Sequence, residues 1–176
     1  MRSARTDEQE IRKASVIDAP IDSVWRRITS QDGINDEMGP YLKMTMPRSF
    51  RGRSIGDVTP GTRIGKSYLL LFGVIPVGFD DITIAKIEPG RMFREESRMT
   101  GMRIWVHHRT LEPTNGTAGE KTIVTDVISV APRALLGLIP GSSTLVSTIL
   151  GHFFAHRHRR LARTMHTLRG TMPPQS

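Results

Sequence analysis

The sequence predicts an α+β domain in which a curved antiparallel sheet wraps around a long C-terminal helix. Three observations predict this class. A strand and two short helices open the chain, five alternating segments follow between residues 62 and 130, and a helical period then runs from Ser142 to Leu168. The 176 residues are enough for one substantial core. We therefore expect one domain over residues 11–169, with flexible tails at residues 1–10 and 170–176.

The first strand and the two short helices precede a long loop. IRKASVIDAP alternates as a strand does, and Pro20 falls where a helix can begin. GINDEMGPYL is predicted as a second short helix, broken by Gly39 and Pro40, and the loop runs from Pro47 to Gly61. The first helix, IDSVWRRIT, places on one face Ile21, Val24, Trp25 and Ile28.

Five strands separated by turns fill the middle of the chain. The strands are RIGKSYLLLF, VGFDDITIAKI, MFREESRM, MRIWVHHRTLE and KTIVTDVISV, and the turns are GVIP, EPG, TG and PTNGTAGE. Because the connections are short, neighbouring strands are predicted to be antiparallel.

The last element is a helix about 40 Å long at 1.5 Å per residue. Ser142 or Ser143 is its predicted N-cap, and Gly170 lies just beyond its end. A turn of 100° per residue places its apolar residues on one arc, which we expect to face the core. These residues are Leu145, Val146, Ile149, Leu150, Phe153, Phe154, Leu161, Met165 and Leu168.

One arginine of the basic run RHRR falls near the centre of that apolar arc. Arg157 is flanked in projection by Val146, Leu150 and Phe153, and a buried guanidinium needs a carboxylate, several acceptors or water. We predict that Arg157 is the one buried arginine of the run, paired with an inward carboxylate such as Asp126 or Glu95 or facing the polar end of a cavity. The opposite side and edges of the helix carry His152, His156, Arg159, Arg163 and His166.

Three strands carry ionisable residues on faces that are otherwise apolar. In MFREESR, Phe93 and Glu95 share a face. A concave apolar surface with a few converging polar groups is typical of a small-molecule pocket. The alternative is that the ionisable groups satisfy one another, with Arg157, inside a filled core. The next two strands place on single faces Trp105, His107, Arg109 and Leu111, and Val124, Asp126, Ile128 and Val130.

Composition favours a soluble, cytoplasmic protein. Hydrophobic residues make up 38% and charged residues 24%, the net charge is +8, and there is no cysteine and no apolar signal-peptide core. The uncharged residues 135–150 are interrupted by Pro140 and Gly141 and diluted by serine and threonine. We therefore expect no membrane span and at most transient contact with a membrane surface.

Three tempting motifs are incomplete. GTRIGKS is one residue short of a P-loop and is followed by a strand. His152 and His156 lie four residues apart, but no third metal ligand is evident, so we expect neither a metal nor a cofactor. The arginines of the loop and helix provide charge without clustered aromatic residues for base stacking, so no nucleic-acid partner is expected. The loop arginines are Arg48, Arg51, Arg53 and Arg63.

At these residues the sequence resembles the START-like helix-grip superfamily, also called SRPBCC or the polyketide cyclase/dehydrase and lipid-transport superfamily. SVIDAPIDSVW is similar to the family's strand that ends in a D/N-A-P turn before a helix with an aromatic residue. WVHHRTLEPTNGT, KTIVTDVISVAP and FFAHRHRRL resemble the W-x-H-x-H-x-F, threonine-then-TD and F-x-x-R-H-R-R signatures of one bacterial branch. Two departures are Arg109, where that branch usually has histidine, and an inserted GEK in the turn at residues 113–121.

The resemblance implies a helix-grip fold that holds a lipid, sterol, polyketide or hormone between sheet and helix. We therefore expect a cavity of about 300 Å³ or more, bounded by Trp105 and Phe153, for a small hydrophobic or lipid-like partner. The alternative is a cyclase or dehydratase in which His107, held in one tautomer by Asp126, is a general base. The oligomeric state stays open. The predicted ligand-binding residues are Phe93, Glu95, Trp105, His107, Arg109, Asp126, Phe153 and Arg157.

Overall fold

The computed structural model describes residues 8–116, 119–133 and 142–171. A first strand and two helices precede six strands, and a long helix ends the described chain. In order, the elements are β1 (Gln9–Ile17), α1 (Ile21–Thr29), α2 (Gln31–Met38), β2 (Leu42–Met44), β3 (Thr62–Leu71), β4 (Ile75–Glu88), β5 (Met92–Met99), β6 (Met102–Gly116), β7 (Gly119–Pro132) and α3 (Ser142–Thr171).

The seven strands form one antiparallel sheet in the order β1-β7-β6-β5-β4-β3-β2. The sheet curls as a half-barrel around α3, which contacts β1, β7 and α2. The predicted α+β class and helix-grip arrangement are therefore confirmed. No helix among the described residues is long and apolar enough to cross a membrane.

Several element boundaries differ from the sequence prediction. Leu42–Met44 is a strand and not part of a helix, because it pairs with residues 69–71 of β3. β1 begins at Gln9, and α3 continues through Gly170, where an interior glycine costs only about 1 kcal/mol relative to alanine. The side chains of Ser142 and Ser143, the predicted N-cap residues, lie outside the described residues, as do residues 134–141 of the uncharged stretch.

The core consists of three apolar clusters between α3 and different parts of the sheet. One joins α1, β7 and the C-terminal half of α3. A second lies under β3 and β4 and includes side chains from the loop at residues 47–61, in which Phe50 and Ile55 are buried within short 3-10 helices. The third surrounds Trp105 and Phe154. The loop therefore covers one end of the sheet.

The apolar arc predicted for α3 is only partly buried. Phe154, Leu161 and Met165 are at most 4% exposed, but Leu145 is 61% and Ile149 is 57% exposed, and Leu168 at the other end is 45% exposed. The cause is the position of the helix, which packs on β1, β7 and α2 near one edge of the sheet. Space is left between its N-terminal half and the strands β3 to β5.

Candidate functional site

A cavity of about 560 Å³ fills the space between α3 and the inner face of the sheet. Its wall is largely apolar, with isoleucine, methionine and leucine side chains from β3, β4 and the loop. Trp105 and Phe153 both line it, so the predicted cavity and these two wall residues are confirmed. The polar groups of its wall include Asp80, Glu95, His107 and Arg157.

Behind one wall of the cavity, Arg109 of β6 is the centre of a buried charged cluster. Its Nε and Nη2 donate to the two oxygens of Asp126 at 2.6 and 2.7 Å. Its Nη1 donates to the two oxygens of Glu37 at 2.9 and 3.0 Å. All three side chains are at most 1% exposed. The guanidinium therefore joins β7 to α2 through two carboxylates.

Arg157 of α3 completes this cluster from the cavity side. Its Nη2 lies 3.0 Å from Glu37 Oε2, and its guanidinium stacks 5.0 Å from the ring centre of Phe154. The side chain is buried at 8% exposure, as the helical phase predicts. The predicted pairing with an inward carboxylate is confirmed, but the carboxylate is Glu37 of α2 and neither of the two named candidates, Asp126 and Glu95.

Two histidines donate to Asp126 from opposite directions. His107 Nε2 lies 2.9 Å from Asp126 Oδ1, and His158 Nε2 lies 2.9 Å from Oδ2. Because the carboxylate is ionised, each Nε2 carries the proton. His158 Nδ1 then accepts from the hydroxyl of Ser15 at 2.6 Å, which joins α3 to β1. The ring of His107 also packs edge-on against Phe93 and Phe154.

The electrostatics of the cluster are balanced. Burial raises the pKa of Asp126, but Arg109 and His107 outweigh it and hold that pKa well below its usual range. Burial lowers the pKa of Arg109, and the two carboxylates raise it above its ordinary value. With neutral histidines, two guanidinium groups and two carboxylates sum to zero charge. A closed, neutral network of this kind tolerates burial because every charge has a partner.

The structure separates the eight predicted ligand-binding residues into two layers. Arg109 and Asp126 are fully buried and do not line the cavity, and their contact with a ligand stays a prediction. They hold His107 and Arg157 in place. Of the eight predicted residues, those that line the cavity are Phe93, Glu95, Trp105, His107, Phe153 and Arg157. The sequence left open whether the polar groups bind one another in a filled core or line a cavity. The structure contains a cavity, and behind its wall several of the polar groups bind one another.

Sequence reasoning missed Glu37 and His158, although both have a helical signal. Glu37 lies three residues after Ile34 on the apolar face of α2, and both side chains are buried. His158 lies in the stripe formed by Phe154, Leu161 and Met165 on α3. An ionisable residue on an apolar helical stripe was used as a signal only for Arg157.

A second polar group lies on the sheet side of the cavity. Asp80 of β4 is 4% exposed, and its Oδ1 has no hydrogen-bond partner among the described residues. Glu95 of the neighbouring strand accepts from the hydroxyl of Ser97 at 2.7 Å. Burial, then the charge of Glu95, raises the pKa of Asp80 to about 8. The sequence contains the signal for Asp80, because it alternates with Ile82 and Ile84 in DDITI.

One of the two histidines of α3 that resemble a metal pair, His156, makes contacts of another kind. His156 Nε2 donates to the backbone carbonyl of Gly39 at 2.7 Å, and its ring packs against Tyr41. Across the described ranges, no group of three or more histidine, aspartate or glutamate side chains could hold a metal ion.

Solved structures share this fold. A START superfamily protein from Mycobacterium smegmatis aligns with a TM-score of 0.64 at 12% identity, over 90% of this chain and 98% of its own. The Zhui aromatase/cyclase from a Streptomyces species aligns with a TM-score of 0.66 at 12% identity, over 90% and 94%. A protein from Chromobacterium violaceum aligns with a TM-score of 0.61 at 18% identity, over 88% and 95%.

At these identities the structural matches establish the START-like fold. A search of curated protein sequences gave no match. One family model does match, and it covers residues 15–165, from the middle of β1 to the last turns of α3. The chain therefore belongs to the family described as Domain of unknown function (DUF8410), and it has a START-like helix-grip fold.

Proposed function

We propose that this protein binds a small hydrophobic or lipid-like molecule in the cavity between the sheet and α3. The observation that carries the proposal is the cavity itself, about 560 Å³ with a largely apolar wall and a few polar groups. Pockets that bind small molecules have this size and composition. The START superfamily and aromatase/cyclase structures with the same fold support a ligand-binding or cyclase role.

The wall also provides a polar end for orienting a ligand. Arg157 and His107 line the cavity from α3 and β6, and both are held from behind by carboxylates. A side chain fixed in this way loses little conformational freedom when a ligand binds, so its hydrogen bonds add to affinity. We therefore propose that Arg157 and His107 orient a polar group of the ligand.

Binding of a fluorescent apolar probe tests the proposal. N-phenyl-1-naphthylamine, which is neutral at pH 7, is titrated into the wild-type protein and two double variants. The blocked variant, Leu150→Trp with Met99→Trp, places two indole rings at residues that line the cavity. The surface variant, Leu145→Trp with Arg98→Trp, places two indole rings at exposed positions that do not line the cavity. We expect saturable binding that is at least 10-fold weaker in the blocked variant and unchanged in the surface variant.

Equal binding by all three proteins would place the probe outside the cavity and contradict the proposal. The absence of saturable binding by the wild type would also contradict it. Thermal unfolding of each variant shows whether its fold is retained, so loss of binding is interpreted only for a folded protein.

A cyclase- or dehydratase-type activity is the second candidate, and the His107–Asp126 pair favours it. The 2.9 Å contact fixes the proton of His107 on Nε2, which leaves Nδ1 as the basic nitrogen of a ring that lines the cavity. Such a nitrogen can accept a proton from an acidic C–H or O–H of a bound molecule.

Exchange of ligand protons with deuterated solvent tests this candidate. A β-diketone small enough for the cavity is incubated with the wild type and with His107→Gln, and exchange is followed by NMR. A general base at this position predicts exchange that is at least 100-fold faster than in His107→Gln. Equal rates in the two proteins would assign His107 to binding alone.

A further inference from the structure

The carboxyl groups of Asp80 and Glu95 form an acidic pair on the sheet side of the cavity. Both line the cavity from adjacent strands, β4 and β5. Asp80 is 4% exposed, and its Oδ1 is a buried acceptor without a hydrogen-bond partner in the described part of the chain. An unpartnered buried acceptor has lost its hydrogen bonds to water without a replacement. It is therefore a position where a ligand gains from supplying a donor.

Asp80 differs from the other buried carboxylates of the described residues, and Glu95 beside it is half-buried. Glu37 and Asp126 each bind a guanidinium, Glu37 at 2.9 Å and Asp126 at 2.6 Å from Arg109. Asp80 and Glu95 have no such partner among the described residues, and the charge of Glu95 disfavours ionisation of Asp80. The cavity wall thus contains two carboxyl groups from adjacent strands, and no cationic side chain of the described residues binds either of them.

We propose that the Asp80–Glu95 pair is the recognition site for a protonated amine carried by a largely apolar ligand. The proposal rests on the function proposed above and names the chemical class of the ligand. An ammonium group provides up to three donors, so it can reach Oδ1 of Asp80 and an oxygen of Glu95 together. Its positive charge also favours the ionised form of Asp80, which then releases its proton to solvent when the amine binds. A metal ion fits poorly, because no group of three or more histidine, aspartate or glutamate side chains among the described residues could hold one.

The remaining charged groups of the wall lie mainly on α3. Arg157 is neutralised by Glu37, and His107 stands opposite Glu95 in the pairing of β5 with β6. The overall charge of +8 repels a cationic ligand. A preference for an amine over a neutral ligand of equal length would therefore have to come from a local acidic site.

Competition among three ligands that share one alkyl chain tests the proposal. Decylamine, decan-1-ol and decanoate displace N-phenyl-1-naphthylamine from the wild-type protein at pH 7, where decylamine is cationic. We expect decylamine to displace the probe at a concentration at least 10-fold lower than decan-1-ol. In Asp80→Asn and in Glu95→Gln this ratio should fall below about 3-fold, with decan-1-ol unchanged.

Asp81→Asn is the matched control. Asp81 follows Asp80 in the sequence but points to the other face of β4, where it binds Arg63 at 2.6 Å. This variant should keep the wild-type preference for decylamine. Equal displacement by amine and alcohol, tightest binding of decanoate, or a preference that survives both Asp80→Asn and Glu95→Gln would overturn the amine site and leave the proposed function standing. Failure of the probe to bind the wild type would overturn both.

Discussion

Arg157 and Arg159 are two residues apart on α3 but lie in opposite environments. Arg157 is 8% exposed and contacts Glu37, whereas Arg159 is exposed. Arg157→Met keeps the length and apolar character of the side chain but leaves the buried cluster with one excess negative charge. The excess charge destabilises the folded state, and the remaining contact of Arg109 with Glu37 limits the effect. We therefore expect a loss of about 2–4 kcal/mol in the free energy of unfolding. Urea denaturation measures this change.

Arg159→Met is the matched control for that variant. An exposed substitution changes the free energy of unfolding by at most about 0.5 kcal/mol. Equal and negligible effects of the two substitutions would show that the cluster at Glu37 is not formed in solution.

Asp80 makes the stability of the protein depend on pH in an unusual direction. Its pKa is raised to about 8 in the folded protein by burial and by Glu95, with a smaller contribution from Asp81, while the hydroxyl of Ser97 opposes the rise. The folded state therefore holds a proton that the unfolded state loses at a lower pH. This contribution is fully present below the unfolded pKa and is lost as pH rises to about 8.

Asp80→Asn removes this dependence. Between pH 5 and pH 8 its stability relative to the wild type should increase by about 1 kcal/mol per pH unit. Asp81→Asn should show no such increase, because Arg63 stabilises the ionised form and holds the pKa of Asp81 below its usual value. Urea denaturation at three pH values measures the trend, and parallel curves for Asp80→Asn and wild type would contradict the buried carboxyl group.

Single residues also show where sequence reasoning succeeds and fails. The burial of Arg157 follows from helical phase alone, because a 100° rotation defines the face of each residue. Its partner does not follow, because α2 and α3 are more than 100 residues apart in sequence and helical phase carries no information on which elements meet. Asp126 was expected to bind Arg157 but is already saturated by Arg109, His107 and His158.

At the scale of elements, His158 links α3 to two neighbouring strands. Its two nitrogens contact Asp126 of β7 and Ser15 of β1. Ser15→Ala should therefore cost about 0.5–1.5 kcal/mol in the free energy of unfolding, the value of one hydrogen bond. Ser129→Ala is the control, because Ser129 has no side-chain hydrogen bond to another described residue and lies on the other face of the sheet. Thermal or urea unfolding would contradict the link if both variants unfolded alike.

The elements themselves follow from periodicity to different extents. The long strands and α3 were predicted because an alternation or a 3.6-residue period extends over many residues. The short strand β2 was missed, since three residues carry no period and only pairing with β3 makes Leu42–Met44 a strand. The exposure of Leu145 and Ile149 was also missed, because an apolar arc does not reveal how far the opposing sheet extends.

At the scale of the whole molecule, we do not expect the net charge of +8 to give tight binding to nucleic acids. Part of the positive charge is buried or paired, as in Arg109, Arg157 and the Arg63–Asp81 contact. We expect duplex DNA and RNA to bind weakly and to lose nearly all affinity between 50 mM and 200 mM salt. A filter-binding titration at both salt concentrations measures this loss, and tight, sequence-selective binding at the higher salt would contradict the assignment of the surface charge to solubility.

The cavity is a property of the whole fold that the sequence indicates only in outline. Inward polar residues on apolar strands predicted either a pocket or a filled core. The empty volume between the sheet and α3 decides between these two alternatives. That volume depends on the position of α3 near β1 and β7, which leaves β3 to β5 uncovered by the helix. Tertiary packing of this kind has no local sequence signal.

Native mass spectrometry tests directly whether the cavity holds an apolar small molecule. The wild type, the blocked variant and the surface variant are each purified from the protein's own host and measured under gentle conditions. We expect an adduct of a few hundred daltons on the wild type and on the surface variant, and none on the blocked variant. The same adduct on all three proteins, or no adduct on a folded wild type, would contradict a ligand-binding cavity.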